Sequence, residues 1–355
     1  MKWLSDKGLK HLLAVANDPD FGGTKYRIIE EIARGGMGTV YRAEDTELGR
    51  QVAVKVLNSS EASHDLAQRM VREARIIARL EHPGIAPVHD LGVLEDRRVF
   101  YAMKLVRGAR LDEYAANGSA LKDRLRKFQA ICEAVAFAHA HGVIHRDLKP
   151  ENIMIGSFGE VLVLDWGVAR ILRAKPNVSE ADTLKLPPED ESDSPATQND
   201  EDTAHGTIVG TPGYMSPEQA RGEIAQLDER SDVYSLGAVL YFLLTGKSPA
   251  AANQSDLSSS PTGGLPRPRE LNAKVSRRAE AVCMKALAAA PGERYASARE
   301  LAIDIVALID DEPVTAHREN VFEQLGRWVG KNRFLVFLVL AYLLMRIFYI
   351  LAERR

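Results

Sequence analysis

The sequence predicts an α+β chain of two lobes: a small antiparallel sheet with one helix, then a larger, mainly α-helical lobe. Three observations carry this. Short alternating apolar runs broken by turns occupy residues 26–105, one helical stretch interrupts them, and helical patterns dominate from Leu111 onward. The runs at 26–32, 40–43, 52–57, 88–94 and 99–105 read as the five strands, the last two flanking a charged hairpin at Glu95, Asp96, Arg97 and Arg98. Residues 65–80 read as the helix between the third and fourth strands. Two short strands, 153–155 and 161–164, are expected inside the helical lobe. The 355 residues suffice for one two-lobed unit with a tail. We divide them into an amphipathic amino-terminal extension (1–23) without the features of a secretory signal, a first lobe (24–107), a second lobe (108–312) and a tail.

A formal net charge of −3 gives no global reason to expect nucleic acid as a partner. The two cysteines, Cys132 and Cys283, both lie in apolar helical patterns, so buried free thiols and a reducing compartment are expected rather than a disulfide framework. Residues 177–203 differ in kind, with prolines at 187, 188 and 195 and acids clustered at Glu189, Asp190, Glu191, Asp193, Asp200, Glu201 and Asp202. Such a segment cannot bury enough apolar surface to order itself and is expected to be a disordered loop. Residues 253–268, rich in Ser, Pro and Gly, read as a second flexible stretch, and no internal repeat is present.

At the carboxyl end, residues 313–333 read as a linker and residues 334–352 as a membrane-spanning helix, apolar but for Arg346 and its tyrosines and flanked by Lys331, Arg333, Arg354 and Arg355. A run of about 19 residues can cross a bilayer core. Arg346 argues against this, since a charge near the centre costs roughly 2.5–3.5 kcal/mol, but it lies towards the end and can snorkel. An interfacial helix and a helix packed on the protein itself are the alternatives.

Several segments carry chemistry. In Ile32-Ala33-Arg34-Gly35-Gly36-Met37-Gly38-Thr39-Val40 the glycines let the backbone turn sharply between two strands and bring amides against phosphate oxygens. Alternation in Val52-Ala53-Val54-Lys55-Val56-Leu57 sets Lys55 opposite the three valines, where a buried ammonium needs a partner. Glu73 interrupts the apolar stripe of Leu66, Ile77 and Leu80 on the next helix, so it is expected to point inward at Lys55. His145-Arg146-Asp147-Leu148-Lys149-Pro150-Glu151-Asn152 crowds acid, amide and lysine between a helix and a strand, and Asp165-Trp166-Gly167 follows the second short strand.

These motifs resemble those of bacterial eukaryotic-type serine/threonine protein kinases, over about residues 26–309. The resemblance implies a protein-kinase-like fold and transfer of the γ-phosphate of ATP to protein Ser/Thr hydroxyls, with autophosphorylation and a role in signal transduction. It implies that Asp147 accepts the substrate hydroxyl proton, that Lys149 steadies the transferring phosphate, and that Lys55, fixed by Glu73, holds the α- and β-phosphates. Asn152 and Asp165 would ligate magnesium, with manganese as the alternative ion. The nucleotide would lie against Ile32, Ala33, Arg34, Gly35, Gly36, Met37, Gly38, Thr39 and Val40, with Ala53, Lys55, Met103 and Leu105. Gly210-Thr211-Pro212-Gly213-Tyr214-Met215-Ser216-Pro217-Glu218 resembles the end of an activation segment running from 165 to 218. The same resemblance pairs Glu218 with Arg294 and sets Asp232 to hold the catalytic-loop backbone. Arg146 beside Asp147 implies control by loop phosphorylation, with Thr203 and Thr207 as candidates.

Three positions depart from the family pattern: Ala33 at the first loop glycine, Lys104 after gatekeeper-like Met103, and Trp166 in place of phenylalanine. None removes a reacting group, and the bulk of Trp166 is expected to slow switching. A nucleotide-binding scaffold without phosphoryl transfer is the competing reading, and the presence of Lys55, Glu73, Asp147, Asn152 and Asp165 counts against it. A single-pass membrane protein is expected, its kinase domain cytoplasmic, with signals arriving from cytoplasmic partners, lipid or homodimerisation through the anchor.

Overall fold

Alternating apolar residues pair into one antiparallel sheet because each strand has two faces to cover. In the computed structural model, β1 (Tyr26–Arg34), β2 (Gly38–Asp45), β3 (Arg50–Leu57), β4 (Val88–Val93) and β5 (Val99–Lys104) form a sheet of order β1-β2-β3-β5-β4. The structure describes residues 19–35, 38–58, 64–166, 169–171, 211–223, 227–255 and 265–353. One sheet face buries Val52, Val54 and Val56 with Tyr26, Tyr41 and Phe100, and the other packs Leu57, Val99 and Tyr101 against Met70 and Ala74 of α1 (His64–Ala78). Lys55 therefore lies on the helix side, opposite the valines. Phe21, which we assigned to the extension, belongs to this lobe: it is buried edge-to-face on Phe100, with ring centroids 5.5 Å apart.

The second lobe is built around α3 (Leu121–Ala140) and α5 (Glu229–Thr245), preceded by β6 (Gly108–Arg110) and the short α2 (Leu111–Ala116). Strands β8 (Ile153–Gly156) and β9 (Val161–Val163) form the expected hairpin, joined by β6, which sequence alone did not suggest. Two more short strands, β7 (Val143–Ile144) and β10 (Arg170–Ile171), pair antiparallel. Helix α5 is apolar on all sides because it is buried on all sides: Val233, Leu236, Val239, Leu240 and Leu243 are fully enclosed. Asp228 caps its start by accepting from the Arg230 amide, so Asp232, within the first turn, is not spent on capping. Gly246 ends it in the left-handed region at φ 78°, donating its amide to Phe242 O. After the short helices α4 (Pro217–Ala220), α6 (Pro249–Ser255) and α7 (Pro268–Leu271), α8 (Arg277–Ala286) and α9 (Ala298–Ile309) complete the lobe.

Helices α6 and α7 occupy both ends of the stretch expected to be flexible, 253–268, and its centre lies outside the described residues. So do the acidic segment 177–203, Thr203 and Thr207. Cys132 and Cys283 are buried free thiols, their pKa pushed up by burial. The stretch read as a linker is not extended. Val314 is buried, α10 (Val321–Lys331) forms behind an Asn320 cap, and α11 (Arg333–Glu353) follows. Among the described residues no single helix is long and apolar enough to cross a membrane. The pair Glu323–Lys331 and Val336–Arg346, bent by 89°, is long and apolar enough only when taken together, by length and composition.

The lobe is closed by a buried ion pair. Arg294 Nη1 and Nη2 donate to Glu218 Oε1 and Oε2 at 2.7 and 2.8 Å, with both side chains almost wholly enclosed. Arg294 also donates to the carbonyls of Ala288, Ala289 and Arg230, and Ser231 Oγ donates to Glu218. Burial opposes the charge of Glu218, but Arg294 overrides it and brings the carboxyl down from 4.5 to about 2. Because the folded-state value is depressed, this stabilisation is present above about pH 4.5 and is lost as pH falls towards 2. Glu218→Gln is thus expected to remove about 3 kcal/mol at pH 7 and progressively less in acid. Urea titrations from pH 7 to 2 check this, and parallel acid limbs for variant and parent would refute it.

Candidate active site

The cleft face of the first lobe begins at Lys55. Register places Lys55 across from Val40 on one side and Tyr101 on the other, so the side chain enters between β3 and α1. There its Nζ donates to Glu73 Oε1 and Oε2 at 2.9 and 3.1 Å and to Asp165 Oδ1 at 3.2 Å. Burial works against the lysine's charge, but Tyr101, Glu73 and Asp165 together hold its pKa above the ordinary range. Tyr101 also donates its hydroxyl to Glu73 Oε1 at 2.8 Å. Asp165 belongs to the second lobe, so one ammonium bridges the lobes. Partial burial would raise the Asp165 pKa, but Lys55 and its other cationic neighbours lower it.

The catalytic-loop segment is held by its backbone. Asp232 is fully buried, and its Oδ2 accepts from the His145 amide at 2.7 Å and from His139 Nε2 at 2.8 Å, while Oδ1 accepts from the Arg146 amide at 2.8 Å. Burial disfavours this carboxylate, and the His139 hydrogen bond leads the interactions that lower its pKa regardless. Arg146 adopts a left-handed φ of 72° and Asp165 one of 58°, each an arrangement costing about 1–3 kcal/mol that surrounding contacts must maintain. Gln219 Nε2 adds to those contacts by donating to Arg146 O at 2.8 Å.

Asp147 is gripped at both oxygens. Oδ1 accepts from Thr211 N at 3.0 Å and Thr211 Oγ1 at 3.1 Å, and Oδ2 lies 2.8 Å from Lys149 Nζ and accepts from Asn152 Nδ2 at 3.1 Å. Lys149 donates to Thr211 Oγ1 as well, at 2.7 Å. Four contacts therefore orient one carboxylate. Pairing of Ile153 with Val163 brings the residues flanking the β8–β9 hairpin to one end, so Asn152 and Asp165 are neighbours, and Leu164 N donates to Asn152 O at 2.8 Å. Since Asn152 Nδ2 donates to Asp147 at 3.1 Å, Oδ1 is the atom left to ligate, with the Asp165 carboxylate as the expected second donor. Two hard oxygen donors suit magnesium, which keeps waters and phosphate oxygens in its remaining positions.

The residues expected to roof the nucleotide are those around the β1–β2 turn and the end of β5. Ala33 pairs with Val40, Gly35 N donates to Gly38 O at 2.9 Å, and Asn58 joins the turn by donating to Gly35 O and accepting from Thr39 Oγ1. A Cβ on Gly38 would lie 2.5 Å from Val56 O, so close backbone approach requires glycine there. Ala53 is buried beside Met103, its cross-strand partner, and Leu105 is half-buried just beyond β5. Ile32 and Arg34 are exposed on β1, with Arg34 paired to Glu31. Gly36, Met37 and Gly167 lie outside the described residues. Trp166 is buried with its ring 4.5 Å from that of His145.

Tyr101, His139, Gln219 and Asn58 were not foreseen. A lone histidine inside the apolar pattern of α3 and a tyrosine in an apolar strand were the signals, but only strand register and helix packing reveal their partners.

The enclosed Lys55–Glu73 pair yields a stability prediction. Lys55→Met should cost about 3–5 kcal/mol by stranding a buried carboxylate. Adding Glu73→Gln, which is neutral and still accepts from Tyr101, should recover at least half of that. Chemical denaturation of the parent, both single variants and the double variant checks this, and strictly additive losses would contradict it.

Comparison with known proteins agrees with this geometry. The protein kinase domain family matches residues 26–303. The chain is 36% identical over 306 residues to a probable serine/threonine-protein kinase, SCO3848, of Streptomyces coelicolor, covering 83% of this chain and 41% of that protein. It is 39% identical over 239 residues to serine/threonine-protein kinase PknD of Protochlamydia amoebophila, covering 63% and 23%, and 35% identical over 312 residues to PknD of Chlamydia trachomatis, covering 81% and 32%. It thus spans less than half the length of each of these relatives. The solved PknI kinase domain of Mycobacterium tuberculosis superposes with a TM-score of 0.56 at 26% identity, over 80% of this chain and 96% of that one. With the family match running over residues 26–303, most of its length, the chain belongs to the protein kinase domain family.

Proposed function

We propose that the chain transfers the γ-phosphate of ATP to serine or threonine hydroxyls of protein substrates, itself included. The observation that carries this reading is the oriented Asp147 carboxylate, set beside Lys149 and Thr211. Asp147 accepts the hydrogen of the incoming hydroxyl and aims its oxygen for in-line attack. Lys149, already within 2.8 Å of that carboxylate, offers its ammonium to the transferring phosphate. Lys55 holds the other phosphates, and Glu73 and Tyr101 keep its long side chain in one rotamer. Positioning and charge placement by fixed groups supply most of the acceleration. A divalent ion, for which magnesium is the best fit, would be held by Asn152 and Asp165 and shield phosphate charge.

Phosphorylation near Thr203 or Thr207 is the proposed control, read through Arg146. The tail is proposed as the membrane attachment of a single-pass protein with cytoplasmic kinase lobes. The exposure of Phe334, Phe337, Leu344 and Met345 along α11 supports this, because these side chains find no cover on the protein. Pairing of two chains through the same helix is proposed with it.

Intact mass after incubation with ATP and magnesium tests the central reading. The parent should gain phosphate, and Asp147→Asn should be slower on the order of 10²–10⁴-fold. Nucleotide binding without phosphate gain by either protein would overturn it in favour of a scaffold.

A further inference from the structure

Helix α10 carries its polarity the wrong way round for a helix packed on a globular lobe. Its polar side faces the protein. Glu323 Oε1 accepts from Arg277 Nη1 at 3.2 Å, Glu323 Oε2 lies 3.0 Å from His317 Nε2, and Arg327 Nη2 donates to Glu319 at 2.8 Å. On the other side Val321, Leu325, Trp328 and Val329 recur at helical spacing, and they are 76%, 56%, 51% and 37% exposed. An apolar stripe turned outward while the polar stripe is spent on ion pairs has no partner within the described residues.

The approach to α10 is fastened rather than loose. Buried Asp304 accepts from Tyr295 Oη, Thr315 N, Thr315 Oγ1 and Ala316 N at 2.7–3.1 Å. Arg278 donates to Glu312 O at 2.8 Å and pairs with Asp311 and Glu319. Beyond α10 the chain turns by 89° into α11, where Phe334, Phe337, Leu340, Leu344 and Met345 are exposed.

We propose that α10 lies flat in the headgroup boundary of a lipid bilayer, its Val321, Leu325, Trp328 and Val329 stripe immersed. This rests on the membrane reading of α11 given above. Three observations favour lipid over a protein partner. The stripe continues directly into a helix with no polar face, the right-angle bend suits one helix along the surface and one into it, and exposed Arg318 and Lys331 flank the stripe where phosphate headgroups lie. Trp328 sits at the level where its amphipathic ring is best solvated. Because Asp304 and Arg278 fasten the preceding segment, an immersed α10 holds the kinase lobes at a fixed tilt to the membrane.

The full chain is reconstituted into vesicles of phosphatidylcholine and phosphatidylglycerol carrying bromines either near the headgroups or near the bilayer centre. The Trp328 signal is the emission lost in Trp328→Phe, which separates it from Trp3 and Trp166. Shallow bromines should quench that signal at least about twofold more than deep ones. In Val321→Glu/Leu325→Glu the difference should vanish while phosphorylation of a soluble peptide stays unchanged. Deep quenching equal to or stronger than shallow would make α10 part of the spanning segment and overturn the proposal. No quenching in chain that resists carbonate extraction would overturn it while sparing the anchor. Release of the chain by carbonate would overturn both.

Discussion

A single buried carboxylate organises the site. Asp232 is wholly enclosed in α5, where an unpaired charge could not persist, and it is satisfied only because three donors from elsewhere converge on it: His139 of α3 and the amides of His145 and Arg146. Those contacts hold Arg146 in a left-handed conformation that the chain would not otherwise adopt, and the bend delivers Asp147 to the cleft. Helix packing thereby becomes backbone geometry, and backbone geometry becomes the direction of one side chain.

The same device recurs. Lys55 with Glu73 and Asp165, and Glu218 with Arg294, also join elements far apart in sequence through charges that are costly to strand. Each couples a conformation to its partner more strongly than an apolar contact would, because a shift strands an enclosed charge, Asp165 being the half-exposed exception. The Lys55 cluster differs in one respect: it crosses the cleft, so it reports the relative placement of α1 and the Asp165 turn, while the other two lie within the second lobe.

Much of this was legible in the sequence for local reasons. Two-residue alternation placed Lys55 opposite Val52, Val54 and Val56, and the seven-, four- and three-residue spacing of Leu66, Glu73, Ile77 and Leu80 aimed Glu73 inward. What escaped depended on tertiary context. The role of Tyr101 follows from its register opposite Lys55, that of His139 from the crossing of α3 and α5, and the inclusion of Phe21 from a ring contact with Phe100. The orientation of α10 escaped as well: its amphipathic pattern is visible in sequence, but which face meets the protein depends on where Arg277, His317 and Glu319 lie.

The most direct measurement combines amide hydrogen exchange and turnover in Asp232→Ala. If Asp232 positions Asp147 through the loop backbone, the His145 and Arg146 amides should exchange on the order of 10²-fold faster while amides of β2 and β3 keep their protection, and phosphate transfer should fall with the loss of loop protection. Freed amides with undiminished transfer, or lost transfer with both amides still protected, would contradict the account.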